Sequence, residues 1–337
     1  MNERAFVTGG TGLLGTNLVR ELAGRGWHVR VLARSREKMD RVLGDVAAEA
    51  VVGDLENVGG FAPALEGCDT LFHCAAYFRE YYSAGDHRQK LERINVEGTL
   101  ELLDRARAAG IKKIVYVSSS GVLGHSGNTG TIDESAPYAL DTTNLYFQSK
   151  IQSEQKVLEW LRSNETPVVL ILPGWMFGPF DLAPTASGQL VLDYLAKKIP
   201  GIVPGGACVV DARDVALAMI RGAERGRSGA RYIVAGRLAS LEQILQTLQD
   251  VTAIPMPRLR IPYPAAIVIA WLAQTAAALR GGQSLLTVSG IQTMRESMSH
   301  VLSSVKAERE LVATLRPLGE TLQDEVNWFQ RTSRGAP

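Results

Sequence analysis

Thr8-Gly9-Gly10-Thr11-Gly12-Leu13-Leu14-Gly15 is the stretch on which the reading of this chain turns. Gly9, Gly12 and Gly15 stand at TGxxGxxG spacing, directly after an apolar run at residues 5–8 and directly before an amphipathic stretch at 13–24. Glycine is needed there for three reasons. The strand-to-helix turn uses dihedrals that side chains disfavour, the backbone must approach a pyrophosphate, and the helix must pack closely on the strand. The N–H groups left free at the helix start then face the phosphates. The stretch therefore predicts a dinucleotide-binding loop.

Working outward, apolar runs at 29–33, 51–53, 70–74, 114–118 and 168–172 alternate with helical segments, among them 91–109. Parallel strands need crossover connections, so this rhythm predicts an α/β fold: a doubly wound parallel Rossmann sheet with helices on both faces. After Pro173 the rhythm breaks into Pro- and Gly-rich turns. Further signals stand at 208–210, 215–224 and 232–234, and the chain beyond Gly236 reads as mainly helical. The expected division is a Rossmann domain over 1–172, with about 208–235 returning to it. A smaller, mainly helical substrate lobe is expected from 173–207 and 236–337.

The second strand run ends at Ala33, and Arg34, Ser35, Arg36 and Lys38 follow. An acidic residue about 20 positions after the glycine loop holds the ribose hydroxyl of NAD; an arginine accommodates the 2′-phosphate of NADP. Arg34 lies 19 residues after Gly15. A planar guanidinium grips a phosphate bidentately, whereas a carboxylate repels it. NADP(H) is thus expected over NAD(H), with Arg34 and Arg36 beside the phosphate. Asp54-Leu55 is placed to accept from the adenine amino group, and Cys74-Ala75-Ala76 supplies small residues along the cofactor's path.

Tyr146 and Lys150 are four apart in a helical segment running to Leu161, which puts both on one face. A free tyrosine titrates near ~10. A neighbouring ammonium stabilises the phenolate and lowers that value toward working pH, as a general acid/base requires. The lysine is also placed to hydrogen-bond the nicotinamide ribose. Ser119, at the carboxyl end of the fifth strand run, is positioned to hydrogen-bond a substrate oxygen whose charge changes.

The rest of the composition excludes more than it suggests. A net charge of +1 gives no electrostatic case for nucleic acid. Cys68, Cys74 and Cys208 show no metal or CxxC spacing, so no metal is expected. Met1-Asn2-Glu3-Arg4 leads straight toward the first strand, so a reduced, cytoplasmic protein is expected. The apolar stretch 265–279 is short for a span of ~20 residues and is expected to be a buried or interface helix rather than a membrane contact.

Together these motifs resemble the extended short-chain dehydrogenase/reductases of the NAD-dependent epimerase/dehydratase superfamily. The resemblance runs through the glycine loop, His73–Ala76, Asn95–Thr99, Ser118–Ser120, Tyr146–Lys150, Pro173 to Pro179 and Asp211–Ala216. Its branch is the dihydroflavonol-reductase-like and hopanoid-associated epimerase-like one, to which Pro184–Gly188 and Lys306–Leu311 are similar. The resemblance implies Ser119 as catalytic serine with Ser120 as fallback, and Asn95 as a structural or water-holding residue near Lys150. It also implies Thr11, Gly12, Leu13 and Leu14 at the pyrophosphate, Pro173 at the cofactor, and a homodimer built from the segments 91–109 and 146–161.

Sugar-nucleotide members carry a diphosphate-holding arginine seven residues before the aspartate of the Asp-Val-Ala stretch; counting back from Asp214, this chain has Ala207. Arg213, Arg237 and Arg258 are the substitutes to consider. Trp175, Phe177, Phe180 and Tyr194 with Met176 among them, and Tyr77, Tyr81 and Tyr82 opposite, are candidate pocket side chains. The expected activity is NADPH-dependent reduction of a small-molecule ketone or aldehyde. The alternatives are a nucleotide-sugar epimerase or dehydratase, and a non-catalytic NADP(H)-sensing regulator.

Overall fold

The computed structural model describes residues 3–78, 86–124, 130–279, 287–312 and 314–334. Tyr81 and Tyr82 lie outside the described residues.

Strands β1 (Arg4–Thr8), β2 (His28–Ala33), β3 (Ala48–Val52), β4 (Thr70–His73) and β5 (Lys113–Val117) come first, and β6 (Gly130–Ile132) follows as a short outlier. β7 (Val168–Pro173), β8 (Trp175–Phe177), β9 (Gly206–Asp211), β10 (Arg231–Val234), β11 (Arg237–Ser240) and β12 (His300–Leu302) complete the set. Seven of them form one parallel sheet in the order β3-β2-β1-β4-β5-β7-β10. The direction of winding reverses between β1 and β4, and an open α/β sheet has its crevice at the carboxyl ends of that point.

The central strands read as continuous apolar runs because both faces are covered. On one face lie α1 (Leu13–Gly24) and α7 (Ala212–Arg225), which bury Leu18, Leu22, Val215 and Met219. On the other, α4 (Gly98–Ala108) and α5 (Leu145–Leu161) bury Leu102, Leu103, Ile151 and Val157. A third core, with Val191, Ile244, Leu248, Leu322 and Val326, belongs to the lobe formed by α6 (Ala186–Leu195), α8 (Leu241–Thr252) and α12 (Leu318–Arg334).

Three details differ from the sequence reading. The helix expected over 91–109 is interrupted: α3 (Arg88–Leu91) passes into a π-turn at Glu92–Glu97 before α4 begins. A Cβ on Gly98 would lie 2.8 Å from the Leu55 carbonyl oxygen, so the helix passes close to the neighbouring turn there. The stretch returning from 208 does not join the large sheet at once: β9 pairs with β8 and β11 in a separate small sheet, while its Cys208 and Val210 pack into the large sheet's cores. Lastly, Ala307, Leu311 and Val312 of the presumed lobe pack into the α1–α7 core through α11 (Val305–Glu310).

The outer edge of β10 meets side chains instead of another strand. Glu134 Oε1 accepts from Ile233 N at 2.9 Å, Ser304 Oγ accepts from Ala235 N at 3.0 Å, and Lys306 Nζ donates to Arg231 O at 2.6 Å.

His73 ends β4 with both ring nitrogens engaged. Thr99 Oγ1 donates to Asn95 O, so it accepts from His73 Nε2 at 3.0 Å; Thr8 Oγ1, which accepts from Ala75 N, donates to His73 Nδ1 at 2.7 Å. The arrangement suits a neutral imidazole, and burial, with Lys150 nearby, pushes His73 from 6.5 down to about 3. The unfolded chain takes up a proton near 6.5 that the folded one refuses. Stability on this account is full above about pH 6.5 and is lost as pH falls toward about 3. Urea unfolding is expected to show a loss of about 2 kcal/mol between pH 7 and pH 5 from this group, at ~1.4 kcal/mol per pH unit. A His73→Gln variant with an equally steep profile over that range would refute the assignment.

Candidate active site

The glycine loop is closed by contact. Gly9 adopts φ +69°, and a Cβ on it would lie 2.7 Å from Ala75 N; a Cβ on Gly15 would lie 2.1 Å from Gly9 O. The first turn thus abuts both its own helix and the end of β4. α1 starts at Gly12 without a side-chain cap and with no acidic residue in its first turn. By contrast α2 (Arg36–Leu43), α5, α6, α7 and α8 are capped by Ser35, Asn144, Thr185, Asp211 and Ser240. Uncapped donors at the positive end of a helix dipole fit a pyrophosphate.

One cleft of about 1860 Å³ runs from this loop into the lobe. Its wall contains Gly9, Thr11, Gly12, Leu13, Leu14, Gly15, Arg34, Asp54, Leu55, Cys74, Ala75, Ala76, Ser119, Tyr146, Lys150 and Pro173. Two candidates stand elsewhere. Arg36 opens α2 outside the cleft wall, and Lys38, two residues on, lines it instead. Asn95 sits in the π-turn behind the wall, where it accepts from Tyr77 N at 2.7 Å and donates to Ser149 Oγ at 3.0 Å. It braces Tyr77 against α5.

α5 owes its position to a buried polar stripe. Asn144 Oδ1 accepts from Tyr146 N and Phe147 N at 3.0 and 3.2 Å, which starts the helix immediately before the tyrosine. Tyr146 is half-buried with its ring 4.6 Å from that of Phe78. One turn on, Lys150 is 3 % exposed and donates to Val117 O at 2.7 Å and Tyr116 OH at 3.2 Å. An ammonium has three protons, so a third remains for the cleft that Lys150 lines. Burial lowers Lys150 from 10.5 to about 8, opposed by the negative charge of Glu154. Burial likewise pushes the Cys74 thiol up to about 12, so it is a neutral wall residue rather than a nucleophile.

Glu154, a further turn along α5, is fully buried and escaped the sequence reading. It accepts from Ser118 Oγ and from Tyr138 OH, and pairs with Arg231 of β10 at 2.7 Å. Its i+4 spacing from Lys150 was the available signal. Ser119, adjacent to Ser118, accepts from Gly121 N at 3.2 Å and lines the cleft. The fixed Ser118 thereby anchors the strand end that presents Ser119.

In the lobe, Trp175 and Met176 line the cleft, whereas Phe177 and Tyr194 are 0 % and 2 % exposed in its core. Phe180 stacks under Arg20, 4.2 Å from its guanidinium carbon. Leu190, Ile199, Val203, Ile261 and Met294 extend the apolar wall. Ala207 lines the cleft, and none of the three candidate arginines replaces the missing one: Arg213 is tied to Asp211 and Asp324, and neither Arg237 nor Arg258 is part of the wall. Among the described residues no group of His, Cys, Asp or Glu is arranged to hold a metal.

A parallel sheet with a glycine-loop crevice and a serine, tyrosine and lysine on its wall defines an extended short-chain dehydrogenase/reductase, an NAD(P)-dependent oxidoreductase. Within it the chain belongs to the NAD dependent epimerase/dehydratase family, whose model matches residues 5–235. It is 34% identical over 330 residues, 96% of this chain and 94% of the other, to a Synechocystis sp. protein named as a dihydroflavonol 4-reductase. It is also 34% identical, over 81% of this chain and 80% of the other, to the 4-hydroxy-2-methyl-3-oxo-4-farnesyl-3,4-dihydroquinoline-1-oxide ketoreductase of Stigmatella aurantiaca. Among solved structures, gox2253 superposes with a TM-score of 0.83 at 30% identity, covering 99% of both chains.

Proposed function

We propose that the protein is an NADPH-dependent reductase of an apolar or aromatic ketone or aldehyde. The observation that carries this reading is the asymmetry of the cleft. Its cofactor end holds Arg34, Lys38 and Lys150, while its lobe end is walled by Trp175, Met176, Leu190, Ile199 and Val203, with Lys198 as its one cation among the described residues. A diphosphate calls for a guanidinium that this wall does not provide, which disfavours sugar-nucleotide chemistry. The relatives named as a dihydroflavonol 4-reductase and as a ketoreductase agree with the reading.

The glycine loop and the start of α1 fit the pyrophosphate, Arg34 and Lys38 the 2′-phosphate, and Asp54 with Leu55 the adenine. When bound, the nicotinamide supplies hydride to the carbonyl carbon. Tyr146 donates its phenolic proton to the carbonyl oxygen, and Ser119 hydrogen-bonds that oxygen as negative charge develops. Lys150, fixed by Val117 O and Tyr116 OH, favours the phenolate left on Tyr146. Small residues at Ala75 and Ala76 leave room for the cofactor beside it. The unpaired cysteines Cys68, Cys74 and Cys208 suit a cytoplasmic enzyme. A homodimer through α4 and α5 would be a polar contact, because neither helix exposes a large apolar side chain.

The test is oxidation of NADPH, followed optically, against flavonoid, steroid-like and simple carbonyl compounds. Turnover with NADPH well above that with NADH is expected. Arg34→Ala is expected to lower kcat/KM for NADPH by about 10–100-fold and leave NADH nearly unchanged, the range for losing a charge-assisted phosphate contact. An equal loss with both cofactors would remove Arg34 from the phosphate site. Silence across the panel despite NADPH binding would transfer the assignment to redox-neutral sugar chemistry, or to a sensor.

A further inference from the structure

The helix α9 (Tyr263–Leu279) is seated on one side only. Ala266 and Ala270 are 1 % and 0 % exposed and pack with Ile261 and Ile291. Opposite them Val268, Trp271 and Leu272 are 56 %, 58 % and 53 % exposed, so the buried or interface helix expected from the sequence is covered on one face only. No charged residue occurs from Ile261 through Leu279. An apolar patch of this kind marks a surface that meets something other than water.

Charge says what. Between Ala253 and His300 the sequence holds four arginines, Arg258, Arg260, Arg280 and Arg295, against the single acid Glu296, while the chain as a whole is +1. Arg258 and Arg260 are exposed on either side of Leu259, itself 60 % exposed; Arg260 is shared with Glu242, and Arg295 lies 4.0 Å from the Tyr263 ring centre. Apolar side chains between arginines are the pattern of a helix lying in a headgroup layer. Among the described residues no helix is long and apolar enough to cross a membrane.

We propose that α9 docks the protein flat on an anionic phospholipid surface, with Val268, Trp271 and Leu272 entering the acyl boundary and Arg258, Arg260 and Arg295 facing the headgroups. Ile269 is 40 % exposed and also lines the catalytic cleft, as Ile261 and Ala266 do. The docked face is therefore continuous with the cleft wall, giving a water-insoluble carbonyl compound a path from the bilayer to Tyr146. That last step rests on the proposed reductase reading; the docking does not.

The test is co-sedimentation of the full chain with phosphatidylcholine–phosphatidylglycerol vesicles and with phosphatidylcholine alone. Binding to the anionic vesicles, weakened by salt, is expected. The Trp271→Ser/Leu272→Ser variant should bind at least about tenfold less, from the burial lost by two large side chains. Its NADPH affinity should be unchanged, because neither residue lines the cleft. If NADPH titration shows that this variant does not fold, Val268→Ser carries the same comparison. No binding to anionic vesicles overturns the proposal. So does a dimer in sedimentation velocity that the variant converts to monomer, since a second copy would then cover the face. Vesicle binding needs no turnover, so it is read independently of any carbonyl substrate.

Discussion

Tyr146→Phe is expected to lower kcat about 10²–10⁴-fold, the range for removing a positioned general acid, with KM and NADPH affinity nearly unchanged. The substitution is clean because it takes away one hydroxyl. The cap from Asn144 reaches the backbone N–H of residue 146, and the ring contacts with Phe78 and Phe147, at 4.6 and 5.7 Å, use carbon atoms that Phe retains. Lys150 keeps both of its own anchors, which lie on β5. Single-turnover rates with NADPH and an active carbonyl compound would separate the chemical step from binding. A loss below tenfold would take the proton transfer away from Tyr146.

Arg231→Met is expected to destabilise the fold by about 3–5 kcal/mol, the usual cost of stranding one member of a buried ion pair. Glu154 has no exposed surface, and Arg231, 14 % exposed, lies 2.7 Å from it and 4.4 Å over the Tyr138 ring. Without the guanidinium, the carboxylate keeps only hydroxyl donors from Ser118 and Tyr138. The double variant Glu154→Gln/Arg231→Met removes the stranded charge and should recover a large part of the loss, so urea unfolding of the single and double variants forms the comparison. A single-variant loss under about 1 kcal/mol, or a double no better than the single, would show the charge to be solvated by other means.

The parts legible in the sequence are those where chemistry is local in the chain. The glycine loop declares itself because Gly9 and Gly15 have backbone atoms where a Cβ would go. Tyr146 and Lys150 are legible because one helical turn fixes their relation. Glu154 and Arg231 come together only once β10 lies beside β7, and no local period announces that pairing. The π-turn around Asn95 was hidden for a similar reason: its residues suit an ordinary helix, and the interruption lies beside the close approach of Gly98 to Leu55. Arg36 was placed at the phosphate from adjacency alone, but a helix advances 100° per residue, and it is Lys38 that turns into the cleft.

The side chains on the outer rim of β10 make the sheet finite in one direction. With Ile233 N, Ala235 N and Arg231 O taken by Glu134, Ser304 and Lys306, that rim offers an incoming strand no ladder at these positions. Within the seven-stranded sheet, growth by strand addition is left to the β3 rim, where Val52 is 61 % exposed. A destabilised variant of this protein should therefore add strands to this sheet at its β3 rim and not at the rim beside the Glu154–Arg231 ion pair.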